Sequence, residues 1–290
     1  MKTRPLKNVG VEVYDIDLTK LTPQDYAEIK EIFLSELIVT FKNQKVLTLP
    51  FARLISSIGS VANFNQSAWN MHGERIEIQS SPNPFTWEKP DSEFPVQRVT
   101  GMKKNDHDTG IFGQGILDWH SNMNGPFNRA RGVALQGVAG VSGTSTLWMD
   151  TTRAYEEMSP ELKARCENVT GRFIYSPEVW AEGLPAWQYE GMLKNKEPFY
   201  EMPLLNKSFR GKTGLYFHFL NSCEFPTDPG LLAVLKTHCF QDRYIQEMWW
   251  EPGDVHLSDQ VLTLHKRVQN DPAILAQRVL HRYTFNFTDL

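Results

Sequence analysis

Hydrophobic and polar positions alternate in VGVEVYDID (residues 9–17), the period of a half-buried strand. The pattern then changes. In LTPQDYAEIKEIFLSE, Tyr26, Ile29, Phe33 and, one residue on, Leu37 recur at helical spacing. Thr22 stands at the N-cap and Pro23 at the first helical position, so a helix is expected from Pro23 onward. LIVTFKNQ is a β-branched apolar run that stops at Lys42-Asn43-Gln44, a strand and a turn. LPFARLISSIGSV reads as a second amphipathic helix.

Between about residues 60 and 118 the periodicity weakens, and Pro82, Pro84, Pro90 and Pro95 punctuate polar sequence. A long irregular stretch in a compact domain commonly serves as a lid or binding loop, so a cover over a site is expected here. From residue 131 short strands dominate: RGVALQGVAG, STLWMDT, GRFIYS, GLYFHFL, YIQEMWW, DVHLSDQVLTLH and QRVLHRYTFNF. Two helices interrupt them, SPELKARCENV, capped by Ser159, and DPGLLAVLKTHCF. Strands and helices do not alternate regularly, which disfavours a doubly wound parallel sheet. The reading is mainly β with flanking helices, a sandwich or jelly roll in a single domain over residues 1–290.

Composition narrows the function. Net charge is −4 and no run of Lys or Arg stands out, so phosphate-neutralising contact with nucleic acid is not expected. No uncharged apolar run reaches the ~20 residues of a membrane span. The N-terminus lacks the apolar block of a signal peptide. Cys166, Cys223 and Cys239 are far apart and odd in number, the usage of reduced thiols, and the expected location is cytoplasmic. Self-association into a homo-oligomer is left open.

Candidate chemistry gathers at a few positions. Among eight histidines, His120 and His265 have the best context. His120 lies in DWHSNMNGP and His265 ends DVHLSDQVLTLH. Two ligands close in sequence and one distant is the arrangement of the 2-His-1-carboxylate facial triad of non-haem iron oxygenases. Here Asn122 stands two residues after His120, and it is neutral. In QRVLHRYTFNF, Arg278 and Arg282 share a strand face with Leu280 between them. They are either a solvent face with ordinary salt bridges or a pair of anion clamps.

The motifs together resemble the taurine / 2,4-dichlorophenoxyacetate dioxygenase family of Fe(II)- and 2-oxoglutarate-dependent oxygenases. ELIVTFKNQ is similar to a "VVFRDQ"-like strand, LDWHSN to a WHSD block, and GTSTLWMDTTRAYEEMSP to "GGDTLWADTRAAYEAL". PGDVHLSDQVLTLHKR with QRVLHR is similar to "PGDLVIWDNRVTLHGR" with "RRVLHR". The resemblance implies a double-stranded β-helix. It also implies Fe(II) held by His120, Asn122 and His265, and 2-oxoglutarate as co-substrate held by Thr146 and Arg278. Arg282 matches a second arginine placed near the substrate anion. Trp119 and His72, with Trp69, Phe217 and His218, are further candidates for the pocket wall. Asp259-Gln260 replaces the family's Asp-Asn before the distal histidine. The implied reaction uses O2 to hydroxylate a C–H bond of a small, anionic substrate.

Asn122 stands where the family has a metal-binding Asp, and four readings of it stay open. It is a weaker ligand in a working oxygenase, or a natural or engineered change that leaves a weak or silent protein. Otherwise it swings aside for a halide, as in related halogenases, or Asp118 supplies the missing carboxylate.

Overall fold

The computed structural model describes residues 1–61, 68–70, 73–76, 82–90, 93–113, 117–122, 130–174, 199–217, 223–268 and 270–287. Two sheets face each other. The larger runs in the order β1 (Lys2–Pro5), β2 (Val11–Tyr14), β3 (Ile38–Phe41), β19 (Val255–Asp259), β11 (Gly132–Ala139), β21 (Val279–Asn286) and β4 (Ser60–Val61). A further strand, β7 (Gln97–Thr100), also pairs with β21. The smaller sheet runs β10 (Leu117–His120), β20 (Thr263–Arg267), β12 (Ser145–Asp150) and β18 (Ile245–Trp249). Within these two sheets every pairing is antiparallel except β2 with β3.

Smaller pieces flank them. β13 (Thr170–Ile174) pairs with β14 (Phe199–Pro203) and β17 (Cys223–Glu224). Three two-stranded pairs are β5–β6 (Ala68–Trp69 and Arg75–Ile76), β8–β9 (Lys103–Lys104 and His107–Asp108) and β15–β16 (Leu205–Lys207 and Thr213–Leu215).

Strand alternation divides the apolar side chains among three clusters. Val39, Phe41, Ala134, Leu257, Tyr283 and Phe285 leave the large sheet on its outer face. There they meet Ile29 and Phe33 of helix α1 (Pro23–Glu36) and Phe51, Leu54 and Ile55 of helix α2 (Thr48–Ile58). On the inner face, Val133, Leu135 and Leu280 meet Trp148 and Met248 of the small sheet. Met149 and Leu264 leave the small sheet outward, toward Ala154 of helix α3 (Thr151–Glu156), Cys166 of helix α4 (Pro160–Cys166) and the helix Leu231–Cys239. The chain is thus mainly β with helices on both outer sides, and its polar cleft opens between the sheets.

Local signals explain the element ends. Thr22 caps α1 in a full capping box, exchanging hydrogen bonds with Asp25. Ser159 caps α4 through Leu162 N. Three expectations need correction. DVHLSDQVLTLH is not one strand. The Asp259 carboxylate accepts from Val261 N at 2.8 Å and Leu262 N at 3.3 Å, turning the chain so that β19 lies in the large sheet and β20 in the small one. GLYFHFL is a strand only to Leu215. Beyond it Tyr216 N bonds Leu204 O, while His218–Leu220 lie outside the described residues. Finally, the stretch 60–118 is not wholly irregular, because buried β7 is built into the large sheet.

Candidate functional site

The small sheet brings the two singled-out histidines together. His120 on β10 is the cross-strand partner of His265 on β20, with ring centroids 4.2 Å apart. On the other side of β20, Trp148 of β12 is the register partner of His265 and stacks on its ring at 4.9 Å. His120 is 4% exposed and His265 8%. His120 Nδ1 donates to the Asp118 carbonyl at 2.6 Å, which fixes the neutral tautomer with its lone pair on Nε2. Burial holds the His120 imidazole down at about 4. Burial, then the neighbouring His120, holds His265 well below the usual range. Both rings are therefore neutral donors at physiological pH.

Asn122 follows β10 directly and is 9% exposed. Its Nδ2 lies 3.3 Å from His265 Nε2. Gln260 secures this corner from the turn between β19 and β20. Its Oε1 accepts from Asn122 N at 2.8 Å, its Nε2 donates to Ser258 Oγ at 2.7 Å, and its carbonyl accepts from Ser121 Oγ. The replacement of Asn by Gln at this position thus positions the Asn122 backbone.

Asp118 does not take part. A bulge interrupts the β10–β20 register between Leu117 and His120. The Asp118 carboxylate sits at 2.9 Å from Lys266 Nζ and accepts from Trp119 N. Among the alternatives for Asn122, supply of the missing carboxylate by Asp118 has no support in this geometry.

The cleft beside these residues encloses about 480 Å³, part of it open to solvent, and includes His120, Asn122 and His265 in its lining. Thr146 and three arginines, Arg267, Arg278 and Arg282, complete its polar wall, and no carboxylate among the described residues lines it. Thr146 Oγ1 accepts from Trp250 Nε1 at 2.9 Å, so its own hydrogen is directed elsewhere and can be donated to a ligand. Arg278 and Arg282 come from the inner face of the large sheet, 3% and 5% exposed. The reading of them as a solvent face is excluded by that burial. Arg282 Nη1 donates to Gln97 Oε1 at 2.6 Å, while its Nη2 is buried with no partner among the described residues. Burial lowers Arg282 to about 10; burial, then the Arg267 charge, lowers Arg278 to about 9. All three arginines stay protonated at neutral pH and present positive charge to an anionic guest.

Not every sequence candidate arrives. Trp119 points away from the cleft, stacked on Phe240 at 5.2 Å in the helix-covered cluster, so it does not line the pocket. Alternation accounts for this, since Trp119 follows the strand onto the face opposite His120. Phe217 is fully buried in the same cluster. His72 and His218 lie outside the described residues. Trp69 is on β5, which lies next to β7 of the large sheet, and its side chain is outside the described ones. Sequence reading missed Arg267, Trp148 and Trp250, and noted Gln260 without giving it a role. Arg267 was legible in principle, because it lies two residues beyond His265 and therefore on the same strand face.

The profile of the taurine catabolism dioxygenase TauD, TfdA family matches residues 2–284. The chain belongs to this family, whose members are Fe(II)- and 2-oxoglutarate-dependent dioxygenases. Among solved structures it is similar to AAD-2 in complex with Mn(II) and N-oxalylglycine. The TM-score is 0.70 and the identity 18%, covering 99% of this chain and 98% of that one. It is also similar to a taurine dioxygenase from Burkholderia xenovorans, with TM-score 0.69 and identity 20%, covering 98% and 90%. At such identities the likeness is one of fold. A search of curated proteins by sequence gives no significant match. No helix among the described residues is long and apolar enough to cross a membrane.

Proposed function

We propose that this chain is an Fe(II)- and 2-oxoglutarate-dependent oxygenase that hydroxylates a C–H bond of a small anionic substrate. In this reading His120, Asn122 and His265 hold the iron, Arg278 and Thr146 hold 2-oxoglutarate, and Arg282 meets the substrate's anionic group. The facing sheets form a double-stranded β-helix within a single domain, and the lid role expected of the 60–118 stretch falls in part outside the described residues, of which Phe112 lines the cleft.

The observation that carries it is the convergence of two neutral imidazoles and one amide on one corner of a cleft lined by three arginines and, among the described residues, no acid. The donor set fits a divalent metal. Both histidines are held neutral, and a half-turn of the Asn122 amide presents Oδ1 in place of Nδ2. When bound, iron with 2-oxoglutarate and O2 supplies oxidising power for an unactivated C–H bond. The chain's own residues do the rest. The Asp118 carbonyl holds the His120 proton on Nδ1, and Trp148 holds the plane of His265. Trp250 leaves the Thr146 hydroxyl free to donate, and the apolar side chains Val99, Leu135 and Leu280 limit water in the cleft.

One observation favours a second reading, a catalytically silent family member. Among the described residues no group of three His, Cys, Asp or Glu is placed to hold a metal. The halide reading is the weaker one, because the Asn122 amide faces His265 and fills the space a halide would take. Anaerobic addition of Fe(II) and 2-oxoglutarate separates the two main readings. The oxygenase gives a visible metal-to-ligand charge-transfer band and, with O2, succinate release stimulated by small anionic metabolites. A chain that develops no band and releases no succinate is the silent member.

A further inference from the structure

The cleft has a third buried arginine that the reading above leaves without a task. Arg267 is 4% exposed and lines the same space as His265, two residues before it on β20. Its register partners are Leu117 on β10 and Thr146 on β12. Arg278, 3% exposed, enters the cleft from the opposite sheet, and no ion pair engages it among the described residues. The two guanidiniums are close enough for the charge of Arg267 to weaken proton binding at Arg278. Arg267 Nη1 donates to the Phe112 carbonyl, which orients its plane.

Two like charges buried in one small cleft oppose each other unless an anion lies between them. The arrangement suits a carboxylate, which accepts paired hydrogen bonds from guanidinium forks, and the Thr146 hydroxyl stands beside it. We propose that Arg267 is a second holder, with Arg278, of the distal carboxylate of a 2-oxo dicarboxylate. The clamp is complete without metal, so the metal-free chain binds the dicarboxylate. This rests on the assignment of Arg278 and Thr146 to 2-oxoglutarate made above. The extra cation lies on the co-substrate side of a centre whose third donor carries no charge, so the dicarboxylate is anchored by the protein more than by the metal.

The test uses the full chain treated with EDTA. It is titrated calorimetrically with 2-oxoglutarate and with 2-oxopentanoate, which has the same carbon count and no distal carboxylate. The metal-free parent binds 2-oxoglutarate in preference to 2-oxopentanoate. Arg267→Met lowers 2-oxoglutarate affinity by about tenfold or more, the scale of lost charge-assisted hydrogen bonds, and leaves 2-oxopentanoate unchanged. Arg278→Met does the same. Arg267→Lys keeps the charge without the fork, gives an intermediate ratio, and decides the matter if the Met variant does not fold.

A purely structural Arg267, bracing the Phe112 carbonyl, lowers thermal stability and leaves the ratio of the two affinities at the parent value. That result, or a metal-free parent that binds no 2-oxoglutarate, overturns the proposal. If Arg278→Met collapses the ratio and neither Arg267 variant does, the second clamp fails and the assignment of Arg278 stands. If no variant changes the ratio, the assignment of Arg278 fails with it.

Discussion

At the scale of single residues, Asn122 makes two changes to the metal corner proposed above. It removes one negative charge, and it introduces an N–H that points at His265 Nε2 from 3.3 Å. A carboxylate at this position offers only acceptors. The amide therefore competes with a metal for the lone pair of His265, and it must turn over before its oxygen can coordinate. His265 Nδ1 has no partner among the described residues, so nothing there secures the ring's tautomer against that competition. Asn122→Asp removes both handicaps. It is expected to tighten Mn(II) binding by at least about tenfold, a fraction of the attraction a carboxylate adds beside a divalent ion. Calorimetric titration of both chains checks this, and equal affinities would place Asn122 outside the metal's reach.

At the scale of elements, much of the framework was legible. The capping box at Thr22, Ser159 before Pro160, and the alternation in β2, β11 and β21 all act locally, and the structure places those elements where the pattern does. The face shared by Arg278, Leu280 and Arg282 also followed from alternation. What alternation alone does not encode is a break in itself. The bulge in β10 turns Asp118 onto Lys266, against a reading in which residues 118, 120 and 122 share a face. The turn at Asp259 is another such break, made by a side chain bonding the backbone ahead of it. The pairing of His120 with His265 is a long-range register. Sequence context and facial-triad spacing singled the two histidines out, and the resemblance strengthened the pairing, but no local pattern fixes which strands lie side by side.

At the scale of the whole molecule, the fold buries several imidazoles inside and outside the cleft, and this has a consequence for acid stability. Burial holds His120 at about 4 and both His256 and His281 at about 3. An unfolded chain protonates its histidines near ~6.5. Each folded value is depressed, so as pH falls below the unfolded value the unfolded chain takes up protons that the folded chain refuses. Stability is therefore full above about 6.5 and declines toward about 4, by up to about 1.4 kcal/mol per pH unit for each histidine. Asp150 and Asp259, whose carboxyls burial raises, oppose the trend in part. Urea unfolding midpoints at stepped pH values between 7.5 and 4.5 should fall steadily, and a flat profile would show that these rings are not held neutral inside the fold.

The central claim is that a charge-free donor set of two histidines and an asparagine holds a divalent metal with the help of a dicarboxylate anchored by arginine. Mn(II) titration with and without N-oxalylglycine, followed by the paramagnetic resonance of free Mn(II), tests it most directly. The account predicts weak Mn(II) binding to the chain alone. N-oxalylglycine should strengthen it by about tenfold or more, with the same factor returned to N-oxalylglycine by Mn(II), as reciprocal linkage requires. His265→Ala should abolish the effect. Mn(II) binding indifferent both to N-oxalylglycine and to His265→Ala would contradict it.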